Sequence, residues 1–128
     1  MRVTLLLLAA AAALVLASQP ALAHHGGAAF DQTKTLTFNG TVTEMTFANP
    51  HVLVYWDVKD GEGGGTTNWS GWLTAPNKLA RAGWTKRTLT PGDKITVTGV
   101  PHKTGLHVLQ IRKLVGPDGK DLPLSENQ

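Results

Sequence analysis

Two adjacent histidines, His24 and His25, stand where proteolytic processing would expose them. The residues before them end in Ala21-Leu22-Ala23, the small-x-small pattern of a signal-peptide cleavage site. Cleavage after Ala23 is expected to make His24 the first residue of the mature chain. A terminal histidine offers two nitrogens from one residue, the α-amine and the ring Nδ1, and together they can chelate a metal ion. The amine titrates near pH ~8, so a metal can displace its proton at neutral pH. Among divalent first-row metals the affinity of a nitrogen-rich site peaks at Cu(II). A third imidazole would complete a T-shaped, brace-like set. His25 offers a competing mode through the amine, its own amide nitrogen and its ring. Any peptide left in front of His24 would carry the amine elsewhere and remove the chelate.

The segment ahead of the histidines has the parts of an export signal. Arg2 supplies a short positive start, and Leu5 to Leu16 is an unbroken run of 12 apolar residues that Ser18-Gln19-Pro20 interrupts. A membrane span needs about 20 such residues, so no stable membrane insertion is expected once residues 1–23 are removed. The expected location is periplasmic or secreted. The remaining 105 residues are enough for one domain with one modest core. Cysteine is absent from the chain, which removes disulfides, thiolate ligands and Cys nucleophiles. After removal of Arg2 the mature chain carries 11 basic and 9 acidic residues, scattered along its length. That is weak electrostatics for a nucleic-acid binder, and no nucleic-acid partner is expected.

The elements that must position the histidines read as β. Thr35 to Phe47 is expected as one long first strand, with a bulge or bend at Gly40. Asn49-Pro50 ends it, because proline cannot donate to the ladder. His51 to Val58 and Thr66 to Thr74 form a second and third strand around a hairpin tip at residues 60–65. Pro76 opens a helix of roughly two turns, which Gly83 stops. Pro91-Gly92-Asp93 turns the chain. Lys94 to Val100 and Leu106 to Val115 then supply a fourth and fifth strand, and a polar, fraying tail follows. Three strands, a short helix and two strands match an all-β, five-stranded OB-like Greek-key barrel. An immunoglobulin-like sandwich would want about seven strands and no central helix. The expected organisation is a signal at 1–23, an N-terminal arm with the His pair at 24–34, the barrel at 35–116 and a tail at 117–128.

In such a barrel the loops between strands one and two and between strands four and five flank the usual binding face. His51 closes the first loop, and His102 and His107 bracket the second, so the three could gather at one end. The candidate metal ligands are His24, His25 and His51, with His102 and His107 read as surface residues. The plainer alternatives are a solvated tail at residues 24–25 and, at His51, a hydrogen bond that merely orients the loop.

Several elements in combination resemble a known family. They are the His-His-Gly start after Ala-x-Ala, the Asn49-Pro50-His51 triplet, Trp69, Pro76-Asn77 leading to Gly83-Trp84, and Pro91-Gly92-Asp93 before Ile95-Thr96-Val97-Thr98-Gly99. Together they are similar to a family of small exported bacterial proteins, domain of unknown function 6152, over nearly all of the mature chain. Gly26-Gly27 stand where that pattern carries a serine or bulkier residue. The resemblance implies an OB-like β domain and export. It implies no activity.

Other chemistry is thinly represented. Trp56, Trp69, Trp72, Trp84 and Tyr55 could stack on a sugar or a base, although neighbours on a strand point to opposite faces and most of these rings are expected in the core. Asp57, Asp60 and Glu62 sit at or near a glycine-rich turn. Ser70 lacks a nucleophile elbow, no HExxH is present, and residues 61–65 lack the Lys and the following helix of a phosphate loop. An enzyme, a copper oxidase or oxygenase using the same brace, is therefore the remotest alternative, because no substrate groove is visible in a single domain, and the first reading is a binding protein. Its ligand is expected to be a metal ion, copper, or, in a metal-free module, a small molecule, glycan or periplasmic protein partner.

Overall fold

Alternation of apolar and polar residues decides which face of each strand turns inward. In β2 (Leu53–Lys59) Val54 and Trp56 are fully buried, while Leu53, Tyr55 and Asp57 stay partly open. The same period of two buries Ile95 and Val97 in β4 (Lys94–Pro101) and Leu109 and Ile111 in β5 (Val108–Val115). These strands, with β1 (Leu36–Thr46) and β3 (Thr66–Trp72), close into a barrel of order β1-β2-β3-β5-β4 in a computed structural model that describes residues 26–126. His24, His25 and the expected signal at 1–23 lie outside the described residues. Among the described residues no helix is long and apolar enough to cross a membrane.

All neighbouring strands run antiparallel except β3 and β5, which pair in parallel over Ser70–Trp72 and Val108–Gln110. β1 serves two neighbours: Leu36 to Thr41 pair with β4, and Thr41 to Thr46 pair with β2. With a helix between β3 and β4, this is the five-stranded OB-like barrel expected from the sequence. That helix, α1 (Pro76–Arg81), carries proline in its first turn and buries Leu79. It ends in a Schellman motif, in which Gly83 N–H bonds Ala80 O and Trp84 N–H bonds Leu79 O. The motif needs a left-handed residue, and Gly83 has φ +94°. It delivers Trp84 into the core beside Leu79 and Leu89 at the end of the barrel.

Three local expectations are corrected. The bulge in β1 falls between Val42 and Glu44, not at Gly40, which pairs regularly with Ile95. Gly40 is required for space: a Cβ there would stand 2.5 Å from Trp56 Cδ1 and 2.7 Å from the Asp57 carbonyl. Gly40→Ala is expected to destabilise the barrel by about 1–3 kcal/mol through forced displacement, seen as a lower urea midpoint at unchanged slope. The second strand begins at Leu53 rather than His51, which leaves His51 in the loop. The tail folds back instead of fraying after its turn. Leu122 N–H bonds Leu114 O, Pro123 O accepts from the Trp84 indole at 2.7 Å, and Leu122 and Leu124 pack against the core.

Candidate functional site

The loop at residues 47–52 joins β1 to β2, with a cis Asn49–Pro50 peptide. Its end is pinned by Val52, which is fully buried and exchanges backbone bonds with Leu73 and Thr74 at 2.9 and 3.1 Å. His51, one residue earlier, is exposed. Its Nδ1 lies 3.0 Å from the Leu73 carbonyl. A carbonyl only accepts, so Nδ1 carries the proton, and in the neutral ring the lone pair is on Nε2. This is the second-sphere arrangement commonly found behind metal-ligating histidines. It also satisfies the loop-orienting alternative, because one ring nitrogen orients the loop and the other remains open. The ring stacks on Trp72, with centroids 5.5 Å apart and planes at 21°. Trp72 lies on the outer face of β3, because its neighbours Gly71 and Leu73 are buried inward.

The arm that precedes β1 lies against this region. Phe30 is 1% exposed and sits edge-on between Trp72 and His102, 5.6 and 5.5 Å from their ring centroids. Backbone bonds from Asp31 N–H to Pro101 O and from Lys103 N–H to Ala29 O tie the arm to the start of the β4–β5 loop. Gln32 Nε2 donates to Gly27 O at 3.3 Å and to Gln110 Oε1 at 3.2 Å, and Arg112 donates to the Gln32 side-chain oxygen at 2.9 Å. Asp31 accepts from the Thr33 hydroxyl at 2.6 Å, and this bond, with Lys34 alongside, holds its carboxyl below the ordinary carboxylate range. The turn is therefore favoured at neutral pH and loses this contribution as the pH falls through the lowered value. The result is an open cleft of about 400 Å³ whose lining includes Gly26, Gly27, His51, Trp72, Gln110 and Arg112.

The other histidines stand apart from it. His102 Nδ1 accepts from Thr104 N–H at 3.3 Å, with the Thr104 hydroxyl at 2.7 Å, so in the neutral ring the proton is on Nε2. The free nitrogen of His102 is thus the wrong one for a metal, the converse of His51. His107 is exposed and lies tilted against Trp69, which in turn lies tilted against Phe38. The expectation that His51, His102 and His107 gather into one set is not met: among the described residues no group of three His, Cys, Asp or Glu side chains could hold a metal. The rings of Phe30 and Trp72 separate His51 from His102. Asp57 and Asp60 are occupied by Asn68 and Thr67 in the hairpin, as solvated turn residues are.

Sequence reasoning missed Phe30, Gln32, Gln110 and Arg112. Phe30 had a signal, since it is the lone large apolar residue between the His pair and β1. Gln110 and Arg112 are neighbours two apart on β5, but Gln32 is 78 and 80 residues from them, and only barrel closure brings it to them.

A family model described as a family of unknown function (DUF6152) matches residues 11–109. No curated protein matches the chain. Among solved structures, a crystal structure of the ZRD-deleted mutant of TiaS in complex with agmatine matches with 17% identity and a TM-score of 0.43, covering 75% of this chain and 30% of that one. The chain therefore spans less than a third of that protein.

Proposed function

The chain belongs to the family of unknown function DUF6152, which lends it no activity, and from its own residues we propose an exported OB-like binding protein that takes up copper. Residues 1–23 act as a cleaved signal, and the mature protein works in the periplasm or outside the cell. His24 contributes its α-amine and Nδ1, His51 contributes Nε2, and His25 serves as an alternate or supporting ligand. The observation that carries this reading is the cleft itself, in which Gly26 and Gly27 meet a histidine whose Nδ1 is already committed to a carbonyl. Gly26 lines the same cleft as His51, and each further residue extends the chain by up to ~3.8 Å.

Copper titration of the cleaved protein, followed by tryptophan fluorescence, tests it. Trp72 stacks on His51 and should be quenched on binding. His51→Ala is expected to weaken copper binding at least about tenfold, and His102→Ala to leave it within about twofold. Equal losses in both variants would remove His51 from the ligand set.

The half-exposed outer face of Trp72 favours a second reading, a metal-free module that binds a glycan, small molecule or partner protein through Asn49, His51 and this ring. Saturable fluorescence change with an oligosaccharide panel, and none with copper, would select it.

A further inference from the structure

A second concavity, of about 580 Å³, shares no residue with the His51 cleft. It is an open groove over the outer face of β1, β2 and β4, with the turn at residues 116–119 as one wall. β1 runs between the other two strands, and Thr41 pairs with Asp57 on one side and with Lys94 on the other. Adjacent strands lie about 4.8 Å apart, so Asp57 and Lys94 stand on strands roughly 10 Å apart. That is room for one pyranose ring lying across Thr41.

The groove's own hydrogen bonds leave it rich in donors. Lys94 Nζ donates to Thr41 Oγ1 at 2.6 Å, and the Thr96 hydroxyl donates to Asn39 Oδ1 at 2.8 Å. Two donors on Lys94, the Thr41 hydroxyl proton and both side-chain amide protons of Asn39 remain for a ligand. Lys59 adds its whole ammonium, since the ion pairs among the described residues are Lys34–Asp31 and Lys113–Asp121. The flexible stems of the two lysines let their charges converge on one anion. The groove's one carboxylate, Asp57, accepts from Asn68 through Oδ1 at 2.8 Å and keeps Oδ2 open. A simple anion would satisfy the lysines but bring Asp57 no hydroxyl, and a neutral sugar would leave both ammonium groups unanswered. Val115 and Pro117 add apolar surface suited to the C–H face of a sugar ring. We propose that this groove binds a sugar acid of the uronic type. The carboxylate rests on Lys59 and Lys94, and a ring hydroxyl donates to Asp57. The site is independent of the copper reading.

Nuclear magnetic resonance of the cleaved, ¹⁵N-labelled protein tests it with glucuronate as the probe. Amide signals of Asn39–Thr41, Lys94–Thr96 and the 116–119 turn should shift saturably, while those of His51 and Trp72 stay in place. Lys59→Gln and Lys94→Gln should each weaken glucuronate about tenfold, and Lys59→Arg should retain it. Lys59 has no ion pair to lose, so its replacement tests charge without disturbing the barrel. Glucose and sulfate should each bind at least about tenfold more weakly than glucuronate. Glucose binding as tightly would remove the lysines from recognition, and sulfate matching glucuronate would reduce the groove to an anion site; either overturns the proposal. So does glucuronate affinity unchanged in both glutamine variants, or the absence of shifts in the groove.

Discussion

Acetylating the amino terminus of the cleaved protein, or placing five residues free of histidine before His24, is expected to lower its Cu(II) affinity at least about a hundredfold. Either change leaves every imidazole in place and removes only the primary amine from the His24 chelate. The loss is large because the amine and Nδ1 belong to one residue, so once one nitrogen has bound, the second binds at high effective concentration. An extension of one residue is not a clean control. It makes His25 third in the chain, where the amine, two backbone amides and the ring can ligate copper among themselves. Isothermal titration against a competing chelator gives the affinities, and intact mass confirms that the starting protein begins at His24. Affinity that survives acetylation unchanged would sink the terminal chelate.

Phe30→Ala is expected to cost about 3–5 kcal/mol of folding stability, a large share of the roughly 5–15 kcal/mol typical of a domain. Phe30 is 1% exposed, and its ring is lodged between Trp72 and His102. The arm has few other apolar anchors. Gly26, Gly27, Ala28 and Ala29 bury little surface, and the backbone bonds at Ala29 and Asp31 sit beside the ring. Removing it opens a cavity between Trp72 and His102 and frees the segment that leads to the His pair. Copper affinity should therefore fall together with stability. Phe30→Leu should recover much of both, because it refills most of the volume. Urea unfolding with and without copper measures the two effects. A cost below about 1 kcal/mol would show that the arm is not seated.

The two experiments act on different links. The amine is a property of the covalent chain and its processing, whereas Phe30 governs where that chain lies. Loss of affinity in the first with retention in the second would describe a mobile chelate that needs no cleft.

Much of the barrel was legible because β-strands declare themselves locally. Alternation in His51–Val58 and Lys94–Val100 reports a half-buried strand, and Pro76 and Gly83 bracket the helix through backbone constraints that involve no distant residue. Boundaries were less legible. His51 reads as a strand residue by composition, yet the pairing that matters begins at Val52, whose partners are Leu73 and Thr74. The demand for glycine at position 40 was visible but its cause was not, because the obstructing atoms belong to Trp56 and Asp57 on the neighbouring strand.

The sequence by itself determined the chemistry on offer: five histidines and no cysteine, an adjacent pair behind an Ala-x-Ala site, and a strand–helix pattern that closes as an OB-like barrel. Those properties are local, set by residue type and near-neighbour spacing. Only the tertiary structure decided which histidine presents Nε2. His51 and His102 are the same residue type in comparable loops, but His51 Nδ1–H donates to a carbonyl 22 residues away, whereas His102 Nδ1 accepts from the Thr104 N–H two residues on. The tertiary structure also set Phe30 between Trp72 and His102, and joined Gln32, Gln110 and Arg112 beside His51. Apart from the local His102–Thr104 and Gln110–Arg112 bonds, these contacts join residues far apart in the chain, and their partners exist only once the barrel has closed.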